Sequence, residues 1–356
     1  MARLTASELG VRRLWAQHVG GDRLTRPADV VRALVAVQAQ DPLAARWALG
    51  VRLPGSTERQ IVEALDRGDL LRTHLMRGTW QYVAPDDLPW LTALLGPGAR
   101  SKAVRRHRQL GLDEKTFTRA ESVLTRRLEQ GPVTRAALRA VLEAAGISTE
   151  AQRLSHLVIE LELRGLLCSG PHVEGDATWC LVEQRVKRHA PKRSRDEALG
   201  ELARRFFVSR GPATVADFRW WAGLSAAEAK AGHAAVRSEF ESTTAGAVTW
   251  WWREEAGRGP AQALLPAFDE FLISYACRDE VLDPVHVKRI NAGGGILAPC
   301  LVHEGHVVGV WRRDLHKATV EVATTWFSRT MKRHDGLFAR HFEAYGRFLG
   351  LSLRLT

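Results

Sequence analysis

Cysteine, long apolar runs and nucleotide-binding loops are scarce or missing in this sequence. Its 356 residues include four cysteines and no Cys-x-x-Cys pair, which argues against a disulfide framework and a structural zinc site. No apolar run approaches the length of a membrane span, and residues 1–5 lack the apolar stretch of a signal peptide. No Gly-x-x-x-x-Gly-Lys-Ser/Thr loop occurs. We therefore expect a cytoplasmic protein with no membrane association and no redox or nucleotide cofactor.

Acidic residues are outnumbered by basic ones. The 51 Lys and Arg residues against 40 Asp and Glu give a formal net charge of +11. Such an excess predicts an anionic partner, most often nucleic acid. The basic residues are mostly arginine and concentrate in two blocks, residues 100–108 and 185–195, which favours a DNA-facing surface over a basic but inert one. Pro191 in the second block indicates a linker.

A loose internal repeat organises the middle of the chain. Residues 131–138 recur in similar form as residues 211–218, and Thr134 and Thr214 are each suited to cap the helix that follows. After the first copy, the pattern predicts two helices and two strands, over residues 135–145, 148–164, 166–169 and 178–182. Two helices joined by a turn and followed by a two-stranded wing form a winged helix-turn-helix module.

The same order of elements is predicted twice more. The second copy predicts two helices and a wing, over residues 215–222, 225–240 and 243–250. The N-terminal hundred residues predict three helices and two wing strands, over residues 6–19, 27–40, 57–67, 70–76 and 79–83. Paired tryptophans at 220–221 and 250–252 can stack on DNA bases, but we expect them in the core.

The C-terminal hundred residues follow a different pattern. They predict a strand-like apolar run, a hairpin tip, two strands joined at Glu304-Gly305 and a terminal helix, over residues 263–273, 289–297, 301–311 and 338–351. Cys300, His303 and His306 suggest a metal site, but strand alternation is expected to place the two histidines on opposite faces, so we predict none.

The predicted fold is therefore α+β, with three tandem winged helix-turn-helix modules, a β-rich C-terminal region and a terminal helix. The module boundaries are expected at residues 1–100, 101–190 and 191–260, with the β-rich region over residues 261–356. A chain of this length is sufficient for several domains.

Two glutamines, Gln38 and Gln40, lie where the helix that begins near Pro27 is expected to end. Pro42 disfavours helical geometry at Asp41, so the chain should turn there. Side chains two residues apart in an extended or turning segment can point the same way. Each amide offers an acceptor and a donor, so the pair can hold a water or a nucleotide edge. From the spacing alone, ordinary exposed glutamines at a helix end remain the better explanation.

Four segments carry a specific resemblance, namely residues 38–40, 72–79, 264–269 and 306–312. With them, the chain resembles the winged-helix DNA glycosylases that unhook DNA crosslinks, the AlkZ and YcaQ-like family. The similarity extends over nearly the whole chain. The Gln-x-Gln triplet matches the form of the family's catalytic motif with glutamine at both ends, whereas a sister branch has aspartate in the second place. Within the family, this form is most similar to the azinomycin self-resistance glycosylases.

The resemblance implies a monofunctional glycosylase that acts on N7-alkylguanine in double-stranded DNA, including interstrand crosslinks. It implies Gln38 and Gln40 as catalytic residues, and we expect a monomer. An N7-alkylated guanine already carries positive charge and leaves readily, so amide carbonyls that orient a water are sufficient catalysts. Asp41 is the rival general base, and its alternative role is to form the turn before Pro42.

A glycine-rich tip near residue 293 is the predicted DNA-probing element. Lys288, Arg289 and Asn291 flank it, and glycine allows close backbone approach to a DNA groove. The tip resembles the DNA-probing hairpin of the family, although a flexible turn is the structural alternative. The residues assigned to DNA binding are Lys288, Arg289, Asn291, Gly293, Gly294, Arg77, Arg312 and Arg313.

A second class of function remains open from the sequence. Winged helices often only bind DNA, so the alternative is a non-enzymatic transcriptional regulator. Such a regulator is usually smaller and dimeric, and it binds a palindromic site.

Overall fold

The computed structural model describes residues 4–21, 23–187, 193–253, 257, 259–291, 293, 295–332 and 335–356. The architecture is mixed α+β, as predicted. The chain divides into two compact units. Unit 1 comprises Met1–Val62, Leu199–Trp221 and Ser225–Thr356, and unit 2 comprises Glu63–Ala198 and Ala222–Leu224. Unit 1 thus combines parts of three of the four predicted segments.

The N-terminal elements begin at clear sequence signals. They are α1 (Ala6–Ala16), α2 (Pro27–Leu34), β1 (Ala36–Gln38), α3 (Pro42–Gly50) and α4 (Glu58–Arg67). Thr5 and Glu8 form a capping box at the start of α1. The helix predicted over 27–40 is wrong in its second half, because α2 ends at Leu34. Pro42 does not simply close that helix; it occupies the first turn of α3, a position that proline favours.

The middle of the chain holds the elements of unit 2. They are β2 (Leu71–His74), β3 (Trp80–Val83), α5 (Leu88–Gln109), α6 (Glu114–Leu128), β4 (Val133–Thr134), α7 (Arg135–Ala144), α8 (Arg153–Leu163), β5 (Leu167–Ser169), β6 (Thr178–Leu181) and α9 (Val182–Arg185). Strands β2 and β3 pair antiparallel, and β4, β6 and β5 form a second sheet in that order. The long helices α5 and α6 were not predicted, and the basic block at 100–108 lies within α5.

The core of unit 2 follows the predicted helix faces. Leu154, Leu157, Val158 and Leu161 of α8 are all buried, and they pack with α6, α7 and the sheet. Thr134 caps α7 by accepting a hydrogen bond from the backbone of Ala137. The predicted start of α8 at 148–149 is wrong, since the helix begins at Arg153.

The third segment comprises α10 (Arg195–Arg210), α11 (Val215–Ala222), α12 (Ala226–Ala234), β7 (Glu241–Ala245) and β8 (Val248–Trp252). Helices α11 and α12 lie close to their predicted positions, whereas α10 was not predicted. The helix predicted over 225–240 ends early, and a short 3-10 turn follows it. Of the second basic block, residues 188–192 lie outside the described residues, while Arg195 starts a helix and does not belong to a linker. Trp221 is buried as expected, whereas Trp220 is 47% exposed.

The C-terminal region contains a five-stranded sheet. Its elements are β9 (Gln262–Leu265), α13 (Glu270–Ile273), α14 (Val287–Ile290), β10 (Cys300–His303), β11 (His306–Leu315), β12 (Thr319–Trp326), α15 (Arg329–Lys332), α16 (Ala339–Leu349) and β13 (Ser352–Leu355). The strand order is β13-β12-β11-β10-β9, with β13 parallel to β12 and the other pairs antiparallel. The strand predicted over 263–273 ends at Leu265, because Pro266 interrupts it and Asp269 caps α13. Strand β13 after the terminal helix was not predicted.

The prediction that His303 and His306 lie on opposite faces of the sheet is wrong. His303 and His306 are direct cross-strand partners in β10 and β11, so they share one face of the sheet. The alternation rule applies within one strand, and here a two-residue turn separates two strands. Across the described residues, no group of three or more potential metal-binding side chains is found. None of the helices in this described part has the length and apolar character needed to span a bilayer.

Candidate active site

The two glutamines of the Gln-x-Gln segment differ in their exposure. Gln38 is the last residue of β1 and is 8% exposed, whereas Gln40 is exposed in the bend that follows. Regular strand geometry ends at Gln38, so alternation alone does not fix the direction of Gln40. A buried amide next to an exposed one suits a site where a substrate arrives from the solvent side.

Val35, between α2 and β1, has a backbone conformation that is rare for its residue type. Its φ is 67° and its ψ is −53°, and the side chain is fully buried. β-Branched residues rarely adopt positive φ, because the side chain crowds the backbone. The surrounding structure must therefore hold this turn in place. It is this turn that allows the chain to leave α2 and enter β1.

Arg210, at the end of α10, supplies contacts on both sides of Val35. Its guanidinium donates hydrogen bonds to the carbonyl oxygens of Leu34 at 2.9 Å and Ala36 at 3.2 Å. It also forms an ion pair with Glu270 at 2.7 Å. The planar, multi-donor guanidinium is suited to such a forked arrangement. Arg210 therefore connects the turn to a buried carboxylate.

Glu270, in α13, completes the connection to the Gln-x-Gln segment. Its Oε1 accepts a hydrogen bond from the backbone N–H of Gln38 at 3.0 Å. Its Oε2 accepts from Arg210, from the Ser274 hydroxyl and from the indole of Trp221. Burial alone would raise the pKa of Glu270, but the Arg210 charge and these hydrogen bonds hold it below its ordinary value. Glu270 is therefore an ionised, fully engaged carboxylate.

Asp41 also has structural contacts. Its side chain caps α3 by accepting a hydrogen bond from the backbone of Ala44 at 3.0 Å. Its other oxygen accepts from Arg313 at 3.3 Å. The structure therefore brings Arg313, assigned from the sequence to DNA binding, next to the carboxylate that follows Gln40. The side chain of Arg313 is 16% exposed, which limits its access to a phosphate.

A second buried ion pair lies in the same unit. Arg52 binds Asp269 through two hydrogen bonds, of 2.8 and 3.0 Å. Arg52 also donates to Ala48 and to the backbone and side chain of Gln17. Sequence reasoning missed both ion pairs. The signal was available, because two adjacent acids in an apolar run must find buried cations if the run is buried.

The segment at residues 287–297 positions the predicted DNA-probing residues. Lys288 and Arg289 lie on α14, and an isolated bridge between Asn291 and Leu297 closes the loop. In the described residues, the start of the predicted hairpin tip is therefore part of helix α14, and Asn291 pairs with Leu297. Lys288, Arg289 and Asn291 are exposed, while the Arg289 guanidinium also lies 5.5 Å from the Phe327 ring centre.

The tip of this loop has the backbone that its glycines allow. Gly293 and Gly295 have φ of 90° and 79°, and an added Cβ at either position would meet no atom within 4 Å. Such space suits close approach of a ligand to the backbone. Gly294, also assigned to DNA binding, lies outside the described residues.

The last two assigned arginines belong to other elements. Arg312 is exposed on β11, opposite Ala323 of β12. Arg77 belongs to unit 2, where it sits in a 3-10 turn (Met76–Gly78) between β2 and β3 with φ of 55°. The structure therefore places Arg313 beside Asp41, the residue that follows Gln40, while Lys288 and Arg289 lie on α14.

A comparison with known families identifies the class of protein. A family model described as DNA glycosylase AlkZ-like matches residues 31–348. The chain belongs to this family of DNA glycosylases, and the resemblance drawn from its motifs is confirmed. It is an enzyme that hydrolyses N-glycosidic bonds and acts on DNA. The alternative of a regulator without chemistry is therefore wrong.

Particular relatives carry the comparison further. The chain is similar to the interstrand DNA cross-link repair glycosylase of Streptomyces sahachiroi, with 27% identity over 318 residues, which cover 81% of this chain and 82% of the relative. It is also similar in structure to the Streptomyces sahachiroi DNA glycosylase AlkZ, with a TM-score of 0.80 at 20% identity over 100% of both chains. At that identity, the structural similarity establishes the fold.

Proposed function

We propose that this chain is a monofunctional DNA glycosylase for N7-alkylguanine, including guanines joined in interstrand crosslinks of the azinomycin type. Gln38 and Gln40 hold the attacking water. The observation that carries this proposal is that both carboxylates near the Gln-x-Gln segment, those of Asp41 and Glu270, form ion pairs with arginines. Asp41 is paired with Arg313, and Glu270 is paired with Arg210. Each neutral amide of the segment has a carbonyl oxygen that can accept a hydrogen bond from the water.

The chemistry of the substrate fits such a weak catalyst. Alkylation at N7 makes guanine a cation, and cleavage of the C1′–N9 bond returns the electron pair to the base and neutralises it. C1′ then gains oxocarbenium character and is attacked by water, which releases its proton to solvent. Amide carbonyls accept hydrogen bonds from this water, orient it and stabilise its developing positive charge. No redox, nucleotide or metal cofactor is needed for these steps.

The Streptomyces sahachiroi relative supports a role in crosslink repair. Its name describes it as an interstrand DNA cross-link repair glycosylase, and the alignment covers most of both chains. We extend that substrate class to this chain because the Gln-x-Gln segment lies within the matched family region. The base of a crosslink is tethered to the opposite strand, so a site with one buried and one exposed glutamine is better suited to it than a closed pocket.

We also propose how the chain contacts DNA. Residues 1–100, 101–190 and 191–260 form three winged helix-turn-helix modules, and residues 261–356 form the β-rich region with the DNA-probing loop. Lys288, Arg289, Asn291, Gly293 and Gly294 enter a groove or approach its phosphates, and Arg77, Arg312 and Arg313 add basic contacts. The protein acts as a monomer in this scheme.

The test is incubation of the full chain with DNA methylated at guanine N7 and with a defined azinomycin-type crosslink. We expect release of 7-methylguanine, heat- or alkali-labile abasic sites, and separation of the crosslinked strands. A Gln38→Ala, Gln40→Ala double variant is the matched control for contaminating activity. Release of other bases with no release of 7-methylguanine would contradict the substrate assignment.

A further inference from the structure

We propose that the buried Arg210–Glu270 pair is a positioning device for the active site. It sets the backbone from Leu34 to Gln38 and thereby aims the Gln38 amide. The proposal rests on the proposed catalytic role of Gln38, and its experiment separates the two. Neither Arg210 nor Glu270 has access to substrate, since their side chains are 0% and 1% exposed.

The first step of the argument is the turn at Val35. Its positive φ places a β-branched side chain in an unfavourable backbone region, so the turn persists only if its neighbours hold it. Arg210 donates to the carbonyl on each side of this residue, at Leu34 and Ala36. A single guanidinium therefore binds the carbonyl oxygens of both residues that flank the strained residue.

The second step is the other end of the segment. Glu270 uses one oxygen for Arg210 and the other for the backbone N–H of Gln38. The ion pair thus contacts the backbone at Leu34, Ala36 and Gln38. If the ion pair lost its orientation, strand β1, which carries Gln38, would move. A displacement of about 1 Å of a reacting group can cost on the order of a hundredfold in rate.

The third step is the energetics of burying charge. A buried ion pair is commonly no more stabilising than well-packed apolar residues of the same volume, because both charges lose their hydration. Stability alone therefore gives little reason for this pair. Its donors and acceptors are directed to specific backbone atoms, which apolar residues cannot replace.

The molecule supplies a matched control. The Arg52–Asp269 pair is equally buried, at 0% and 1% exposed, and lies in the same unit. Its described hydrogen bonds go to Gln17, to Ala48 of α3 and to the backbone N–H of Phe271 in α13, and none of those described reaches residues 34–40. Arg52→Lys keeps Asp269 as the cap of α13, the helix that carries Glu270, so it should disturb stability without disturbing the aim of Gln38.

The experiment compares Arg210→Lys with Arg52→Lys in the full chain. Lysine keeps the positive charge but is a single ammonium, so it cannot reproduce the fork to two carbonyls. Single-turnover release from a duplex with one 7-methylguanine is measured with saturating enzyme, alongside the Kd for that duplex and the melting temperature. We expect Arg210→Lys to slow release by about tenfold or more with Kd within about twofold. Arg52→Lys should lower the melting temperature comparably and keep its release rate within about twofold.

Two further readouts isolate positioning from general damage. Amide hydrogen exchange at Gln38 should speed up more in Arg210→Lys than in Arg52→Lys at an equal loss of stability, since the Glu270 acceptor loses its orientation only in Arg210→Lys. In a Gln38→Ala background, Arg210→Lys should slow release by less than about twofold more, because both changes act on the same amide. If Arg210→Lys does not fold, Ser274→Ala removes one support of Glu270 and should show the same pattern more weakly.

The outcomes separate the two proposals. In the first outcome, Gln38→Ala releases the base slowly, while folded Arg210→Lys keeps both the wild-type release rate and the wild-type exchange protection at Gln38. This outcome overturns the positioning role and leaves the proposed function standing. In the second outcome, Gln38→Ala releases the base at the wild-type rate, which overturns the proposed catalytic role of Gln38. If exchange protection at Gln38 is also unchanged in Arg210→Lys, the proposal that the ion pair sets the backbone from Leu34 to Gln38 is overturned as well. Equal slowing by Arg52→Lys and Arg210→Lys, at equal loss of stability, overturns the specific role of Arg210.

Discussion

The Gln-x-Gln segment and the loop at residues 287–297 belong to the same unit but are built in opposite ways. The first is held by buried charges, with Arg210 and Glu270 bound to its backbone. The second exposes the side chains of Lys288, Arg289 and Asn291, and there is open space around Gly293 and Gly295. Chemistry at a fixed bond needs a preorganised site, whereas contact with a long, variable polymer tolerates an adaptable one.

The same comparison changes how the positive charge of the chain should be interpreted. Arg210 and Arg52 are fully buried and paired with acids, while Lys288 and Arg312 are exposed. Arginine therefore serves two purposes in this protein, which are fixing backbone carbonyls in the interior and offering charge at the surface. The net charge of +11 counts both and does not by itself locate the DNA-facing surface.

The largest expected effect lies in the rigid segment. Replacing Gln38 or Gln40 with alanine should slow single-turnover base release by about a hundredfold, because loss of a well-placed catalytic hydrogen-bonding group costs about 3 kcal/mol. The Kd for a duplex with one N7-alkylguanine should stay nearly unchanged. The two losses should not add fully, since both amides hold the same water.

Asp41→Asn is the matched control for this prediction. Asparagine is also a good helix cap, so α3 should persist, and the release rate should stay within a few-fold of wild type. Wild-type rates for both glutamine variants, alongside an inactive Asp41→Asn, would move the catalytic role to the carboxylate.

A smaller effect is expected from the open loop. Shortening residues 291–295 should reduce unhooking and base release by about tenfold, because groove contacts near the reacting base are lost. The melting temperature should change little, since Asn291, Gly293 and Gly295 are exposed. The shortened variant could instead lose as much melting temperature as Arg52→Lys and keep normal activity in its folded fraction. That result would indicate that the loop has a structural role.

The exposed basic residues should govern the response to salt. DNA affinity should fall steeply and linearly on a log–log plot, and Lys288→Ala should reduce the slope by about one. Arg210→Lys should leave the slope unchanged, because Arg210 is buried. Binding isotherms between about 50 and 200 mM salt measure the difference. Equal slopes for Lys288→Ala and wild type would remove Lys288 from the phosphate-contacting set.

The weakest expected effect concerns acid. Burial, with the charges of Arg23 and Arg52, lowers the pKa of His18 to about 4, and burial with Arg340 lowers that of His341 to about 4. Between about pH 6.5 and 4 the unfolded chain therefore binds more protons, and stability should fall as pH decreases through this window. Denaturant unfolding at pH 7.5 and 5.0 tests this, with a smaller loss expected in His18→Gln.

The rate should respond differently from stability. Neutral amides do not titrate, so the single-turnover rate of the folded enzyme should stay flat from about pH 8 down to pH 5.5. A rate that falls with an acidic pKa, while the protein remains folded, would indicate a carboxylate base and contradict the role of Gln38 and Gln40.

Local signals in the sequence predicted the elements whose ends are set by their own residues. Helices α7 and α11 were predicted nearly to the residue, because Thr134 and Thr214 mark their starts and short apolar faces define their lengths. The strands joined at Glu304-Gly305 were also predicted. The predictions failed where one residue type can mark two different structures. Pro42 was interpreted as a helix terminator and is the first residue of α3.

The sequence by itself determined the class of protein, since the motifs and the order of elements identified the glycosylase family without any coordinates. It also identified the Gln-x-Gln segment as the candidate catalytic element. Only the tertiary structure decided what surrounds that segment. Arg210 and Glu270 are 172 and 232 positions away from Gln38 along the chain. Their contacts with its strand depend on packing between distant segments, which no local pattern of polarity or periodicity encodes.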